Sequence, residues 1–199
     1  EANSMELFGS YTSPFVRHIR IAMAETKTEF SLTETDHEMS AKLNPAKKVP
    51  FLHHKETRLH DSSSILKYVR EKAGERYFPD VKDYDQYCLV NTALDAGINL
   101  FLLEQQGVTP ENNTYLQRQK SRVEEILQLM ESKKHAVAYE GPHPFSDGEL
   151  RLGCFLSWGL FRNRISLGEY PQLQAFVDKL NDYPLFADTH PEVRPSVTE

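Results

Sequence analysis

Three short stretches place hydroxyl, carboxylate and ammonium groups where helices and strands are expected to begin. In "YTSPFVRHIRIAMAE", residues 11–25, Ser13 stands directly before Pro14 and a run with Phe15, Val16, Ile19, Ile21, Ala22 and Met23 at helical spacing. Serine is a favoured helix N-cap and proline a favoured first helical residue, so the pair reads as a structural cap. A hydroxyl at the positive end of a helix dipole can equally donate to an anion, and both roles stay open. In "NPAKKVPFL", residues 44–52, Pro50 sits inside an apolar strand pattern, where proline withholds a ladder donor and is tolerated only at an edge or bend. That edge is left for another group to use. In "LHDSSSIL", residues 59–66, Asp61 precedes three serines at a helix mouth, where free amides and the dipole favour a bound anion; capping alone is the alternative.

The elements that must position these residues change character along the chain. Met5 to Gly9 is a short strand, residues 14–25 a helix, and "FSLTET" at 30–35, "VPFLHH" at 49–54 and "TRLH" at 57–60 are further strands. A helix from Ser62 to Ala73 ends against Gly74, giving the order βαβ, a loop or short helix, then ββα. From about Tyr84 strand signals vanish. Residues 86–106, 110–134, 147–162 and 170–181 carry helical periodicity, broken by glycine and proline. The reading is α+β with two domains: a mixed domain over 5–77, a proline- and acid-rich linker over 78–85 and an all-helical domain over 86–199. "EANS" before Met5 looks like an expression remnant.

Composition narrows the partners. The chain has 199 residues, enough to bury a full core, and a formal net charge of -6 with no long basic run, which argues against nucleic acid. The most apolar segment, "LGCFLSWGLF", is too short to span a bilayer and reads as a buried helix. Cys88 and Cys154 suggest neither a disulfide framework nor a metal site, consistent with a reducing, cytoplasmic setting.

Taken in order at these spacings, "SPFVRHIRIAMAE", "NPAKKVPFL" and "DSSSI" resemble the cytosolic glutathione S-transferase superfamily, in its serine-using branches such as the tau class and related bacterial enzymes. The resemblance covers nearly the whole chain. It implies a thioredoxin-like N-terminal domain followed by a helical bundle, a homodimer, glutathione as co-substrate and no metal. It places the catalytic hydroxyl at Ser13 and counts Phe15, on the first helix, among the glutathione-binding residues with Lys48, Val49, Pro50, Asp61 and Ser62. Val49, before a cis Pro50, would offer its backbone to the cysteinyl part of glutathione. Asp61 and Ser62 would hold the γ-glutamyl group, with aspartate standing where the family has glutamate. Lys48 is the candidate for the glycyl carboxylate, a solvated loop lysine being the alternative. "FSDGEL" at 145–150 is similar to the family's buried capping signature, with Ser146 and Glu149 as a capping box and Phe145 and Leu150 as its staple.

The chemistry this implies has a definite size. A free cysteine thiol titrates near 8.5, so lowering it by about two units requires nearly 3 kcal/mol of preference for the thiolate. A charge-assisted hydrogen bond supplies about 1.5–3 kcal/mol and a helix N-terminus about 0.3–1 kcal/mol more. Ser13 would be a donor to sulfur rather than a nucleophile, since no Ser-His-Asp signature is present. Tyr11 is the competing hydroxyl, with Ser10 and Thr12 behind it. His53 and His54, adjacent on a strand, point to opposite faces and cannot share a metal; His18, His37 and His60 have no ligand spacing either. Phe155, Trp158 and Phe161 read as core. The expected reaction adds glutathione to small apolar electrophiles, a detoxifying chemistry, with the second substrate in a cleft between domains. The alternative is a non-catalytic, transferase-like interaction or ligand-binding protein.

Overall fold

Period-2 and period-3.6 patterns alternate through the first third of the chain, and the backbone follows them. The computed structural model describes residues 4–135, 139 and 141–193, so the tripeptide at 1–3, read as part of an expression remnant, lies outside the described residues. The chain divides into two compact units, one running to Pro79 and resuming at Tyr183, the other Asp80–Asp182.

The first unit contains β1 (Met5–Gly9), α1 (Pro14–Glu25), β2 (Phe30–Glu34), α2 (His37–Leu43), β3 (Phe51–His54), β4 (Thr57–Leu59) and α3 (Ser62–Lys72). Its mixed sheet has the order β2-β1-β3-β4. β1 and β2 are parallel, joined through α1 with Met5 opposite Phe30, whereas β3 lies antiparallel to β1 with Phe8 opposite Phe51. β4 completes the sheet antiparallel to β3, Leu52 facing Leu59. This is the expected thioredoxin-like βαβ and ββα order, with α2 filling the segment left as a loop or short helix. Leu7, Val16, Ile19, Leu52, Ile65 and Val69 are fully buried between sheet and helices, and the Phe8 and Phe51 rings stack at 4.5 Å.

Charged groups also enter this core, each with partners. Arg70 on α3 meets Glu25 at the end of α1 at 2.7 Å, with side chains only 4% and 0% exposed. Tyr183 donates to the second Glu25 oxygen at 2.7 Å, and Arg70 reaches Glu75 at 3.2 Å. Burial and the Glu25 carboxylate both push the Tyr183 phenol up. A second buried arginine, Arg17 on α1, lies over the Phe186 ring at 3.7 Å and donates to the Phe186 carbonyl and, at 3.1 Å, to Thr189 Oγ1. Phe186 belongs to α8 (Pro184–Ala187).

These contacts correct the expected boundaries. The described chain from Tyr183 joins the first unit instead of the helical domain expected over 86–199, because Glu25 and Arg17 find partners there. Nor is 78–85 a linker throughout. Asp80 Oδ1 accepts the Lys82 amide at 2.9 Å and Asp83 sits in the first turn, so acidic residues read as linker start α4 (Val81–Glu104).

The second unit is helical: α4, a 3₁₀ turn at Pro110–Asn112, α5 (Thr114–Glu131), α6 (Asp147–Phe161) and α7 (Pro171–Asn181). The helix expected over 110–134 is shorter, since Asn113 caps α5 by accepting the Leu116 amide at 3.0 Å. α6 is the central element, buried continuously from Leu150 to Gly159. Arg151 within it donates to Tyr87 Oη at 2.9 Å. No described helix is long and apolar enough to cross a membrane.

The capping box at the start of α6 is half formed. Ser146 Oγ accepts the Glu149 amide at 3.1 Å, and Phe145 and Leu150 are buried as a staple requires. The reciprocal bond is not made: Glu149 Oε2 is buried with no hydrogen-bond partner among the described residues. Burial first, then the negative charge of Asp83, push the Glu149 carboxyl up to about 7, against the opposing Lys179. A group whose folded pKa is raised contributes stability that is present below its unfolded pKa and is lost as pH rises through the folded value. The wild-type chain should therefore lose stability relative to Glu149→Gln between roughly pH 5 and pH 8. Urea unfolding of both at several pH values checks this; parallel stability curves would remove Glu149 as the titrating group.

Candidate active site

The register of the sheet brings the three stretches to one end of it. β1 ends at Gly9, and Phe8 opposite Phe51 sets Pro50 beside that end. β4 ends at Leu59 opposite Leu52, which carries the chain into Asp61 alongside the same edge. Gly9 is required by this convergence: a Cβ there would stand 2.4 Å from Val16 Cγ2 and 3.8 Å from Pro50 Cβ. Its lack of a side chain lets the first turn of α1 and the proline close over the strand end.

Ser13 adopts extended backbone as the N-cap of α1, and its Oγ accepts the Val16 amide at 3.2 Å. An oxygen that accepts this bond keeps its own hydrogen, and among the described residues that hydrogen has no recorded acceptor. The cap and the donor, alternatives in the sequence, are therefore compatible in one hydroxyl. Phe15 is half-buried one residue inside the helix. The Tyr11 ring carries the Arg20 guanidinium at 4.9 Å, and the Ser10 and Thr12 hydroxyls bond each other at 2.9 Å.

The Val49–Pro50 peptide bond is cis, as expected. Asn44, which the sequence reading passed over, holds this loop: buried, it donates Nδ2 to the Lys48 carbonyl at 2.8 Å and accepts the Ala46 amide at 3.0 Å. Its position before Pro45 at the end of α2 is the local signal that could have marked it.

Asp61 caps α3, Oδ1 accepting the Ser63 amide at 2.8 Å, while Oδ2 takes Lys48 Nζ at 3.3 Å. Partial burial alone would raise the Asp61 carboxyl, but the Ser63 amide and Lys48 charge outweigh it and hold the group below its ordinary value. Ser62 is buried at the first helical position, and Ser64 Oγ donates to the Asp61 carbonyl at 3.0 Å. Two helix N-termini, of α1 and α3, thus open at the same sheet end as the proline loop. Such a place suits a ligand with carboxylates and a developing anion.

His53 and His54, adjacent on β3, make different contacts. His54 is buried and bonded through Nδ1 to Tyr68 Oη at 2.6 Å, while its neighbour His53 tilts against Phe8 at 4.9 Å. No group of three or more His, Cys, Asp or Glu side chains able to hold a metal occurs among the described residues.

Residues 7–77 match the family model of the glutathione S-transferase N-terminal domain. That stretch is similar to the glutathione S-transferase N-terminal domain. Ser13, Phe15, Lys48, Val49, Pro50, Asp61 and Ser62 all fall inside the matched region. Likeness of fold to solved structures extends over the rest of the chain. A glutathione S-transferase from Methylobacillus flagellatus with glutathione bound superposes with a TM-score of 0.81 at 24% identity, covering 94% of this chain and 100% of its own. One from Methylobacterium radiotolerans, in complex with glutathione sulfonate, gives 0.81 at 22% identity, with 99% of each chain covered. A glutathione transferase family member from Pseudomonas fluorescens with bound glutathione gives 0.81 at 20%, covering 96% of this chain and 100% of its own. No curated protein sequence matches the chain.

Proposed function

We propose that the chain is a glutathione transferase of the serine-using type, which activates the thiol of glutathione for attack on small apolar electrophiles. The observation that carries the reading is the uncommitted hydroxyl hydrogen of Ser13 at the head of α1, beside the cis-proline loop and the mouth of α3. Glutathione lies with its cysteinyl backbone along Val49 and its γ-glutamyl carboxylate at Ser62, where the α3 amides face it. Lys48 and Asp61 release one another to meet the glycyl carboxylate and the γ-glutamyl ammonium. Their bridge is half-exposed, at 55% and 52%, and such pairs contribute only about 0–1 kcal/mol, so the exchange costs little. The thiol proton leaves to water, Ser13 donates to the remaining thiolate, and sulfur bonds to the electrophilic carbon as that carbon's leaving group departs or its ring opens. The reading includes a homodimer in a reducing, cytoplasmic setting, with neither nucleic acid nor membrane as partner; neither Cys88 nor Cys154 is in a disulfide.

Calorimetric titration with glutathione is the test. Binding at roughly millimolar affinity or tighter is expected, weakened about tenfold in Asp61→Asn. Silence up to tens of millimolar would sink the proposal; binding without turnover against chlorinated aromatics, epoxides, hydroperoxides or disulfides would favour the non-catalytic alternative.

A further inference from the structure

The sheet of the first unit has two outer strands, and they are protected unequally. β4 is three residues long; its Arg58 is exposed, and the guanidinium donates to the carbonyls of Lys55 and Thr57. Short length and charge are common guards of a sheet edge against pairing with another chain. β2, outermost on the other side, has neither a basic residue nor a proline in its five, Phe30–Glu34. Its register with β1 runs unbroken from Met5 opposite Phe30 to Gly9 opposite Glu34, so no bulge turns it aside. None of its residues is fully buried.

The alternation of the parallel ladder fixes what this edge offers. Thr35 donates its amide to the Gly9 carbonyl at 3.2 Å, so Ser31 and Thr33 also turn their backbone groups toward β1. Phe30 and Leu32 turn theirs outward, and among the described residues no backbone bond outside the ladder uses them. Their side chains share the sheet face of the buried Met5 and Leu7 and stay half-buried at its rim. Ser31 and Thr33 lie on the opposite face. Over residues 27–36 the charge is acidic: Glu29, Glu34 and Asp36 are exposed, and Lys27 is the one basic residue.

We propose that the outer edge of β2 is a docking site for an extended, basic segment of a partner protein, which adds to the sheet as a further strand. In this mode main-chain bonds give affinity and alternate side chains give specificity. Partner residues opposite Phe30 and Leu32 in an antiparallel alignment continue the apolar face and are themselves apolar, whereas those opposite Ser31 and Thr33 are polar. Lysine or arginine at the segment's ends meets Glu29 at one end and Glu34 with Asp36 at the other. A second copy of β2 brings the same carboxylates and complements the edge less well. The site stands apart from the thiol chemistry, since β2 lies across β1 from β3 and β4, near whose ends Pro50 and Asp61 sit.

The probe is the amidated peptide K-V-T-V-T-V-K with an N-terminal fluorescein, titrated with the full chain and read by anisotropy. Saturable binding is expected, with Kd roughly between micromolar and millimolar. Glutamate in place of both peptide lysines, or Glu29→Lys in the protein, should each weaken it by about tenfold. Leu32→Pro should weaken it at least about tenfold, because the Leu32 amide faces outward and proline at such an edge position leaves the β1 ladder intact. Glu29→Lys, an exposed change, keeps the test open if Leu32→Pro folds poorly by circular dichroism. In the complex, hydrogen exchange followed by nuclear magnetic resonance should slow about tenfold or more at the Phe30 and Leu32 amides and stay unchanged at Ser31 and Thr33. Binding that does not saturate, equal binding of the lysine and glutamate peptides, or unaltered exchange at Phe30 and Leu32 would overturn the proposal. A mass by light scattering that falls in Leu32→Pro without any peptide would assign the edge to a second copy, and would overturn it too.

Discussion

Replacing Ser13 with alanine is expected to slow conjugation at neutral pH by about ten- to a hundredfold while leaving glutathione affinity nearly unchanged. The loss follows from removing one charge-assisted hydrogen bond to the thiolate, about 1.5–3 kcal/mol, at 1.36 kcal/mol per tenfold. The same change deletes the cap on Val16, costing about 0.5–2 kcal/mol of stability, so rate and fold would fall together and obscure the cause. Ser13→Gly separates them, since glycine at an N-cap costs only a few tenths of a kcal/mol but has no hydroxyl to donate. Ultraviolet titration of the bound thiol in wild type, Ser13→Ala and Ser13→Gly should show its pKa raised equally in both variants. An unshifted pKa in Ser13→Gly would leave Ser13 as a cap only and move the test to Tyr11.

The largest stability effect is expected at Arg70. Arg70→Met should cost about 3–5 kcal/mol, because it removes the guanidinium at 2.7 Å from Glu25, whose side chain is 0% exposed. Most of that cost comes from the stranded carboxylate rather than from the lost bridge. Arg70→Met combined with Glu25→Gln should therefore be markedly more stable than the single variant. Urea unfolding of the three proteins measures both effects. A single-variant cost below about 1 kcal/mol would mean that Glu25 is reached by water once Arg70 is gone.

The legible parts of this protein were those written in neighbouring residues. Ser13 with Pro14, the short β-prone runs of β1 to β4 and the helix mouth at Asp61 each depend on residues within a turn of one another, and each was found where expected. What the sequence hid depends on distant partners. Asp80 and Asp83 read as linker because acid-rich segments near proline have two uses, and only the Lys82 amide shows which applies. Glu149 satisfied the spacing of a capping box, but its side chain was drawn into burial near Asp83, on another helix. Lys48 and Asp61 were assigned to opposite ends of one ligand, yet they reach one another. Arg17 gave no local sign of burial, since its acceptors Phe186 and Thr189 lie more than a hundred and sixty residues later.

That last separation bears on how the chain is made. The ribosome delivers β1 to α3 first, but the groups that receive Arg17 and hydrogen-bond Glu25 emerge only after the whole of Asp80–Asp182 has been translated. At typical elongation rates the interval is on the order of ten seconds. During it the nascent first unit carries Arg17 without the Phe186 carbonyl and Thr189 hydroxyl, and Glu25 without the Tyr183 hydroxyl. The helical unit, uninterrupted in sequence, can fold on emergence, whereas the unit synthesised first is completed last.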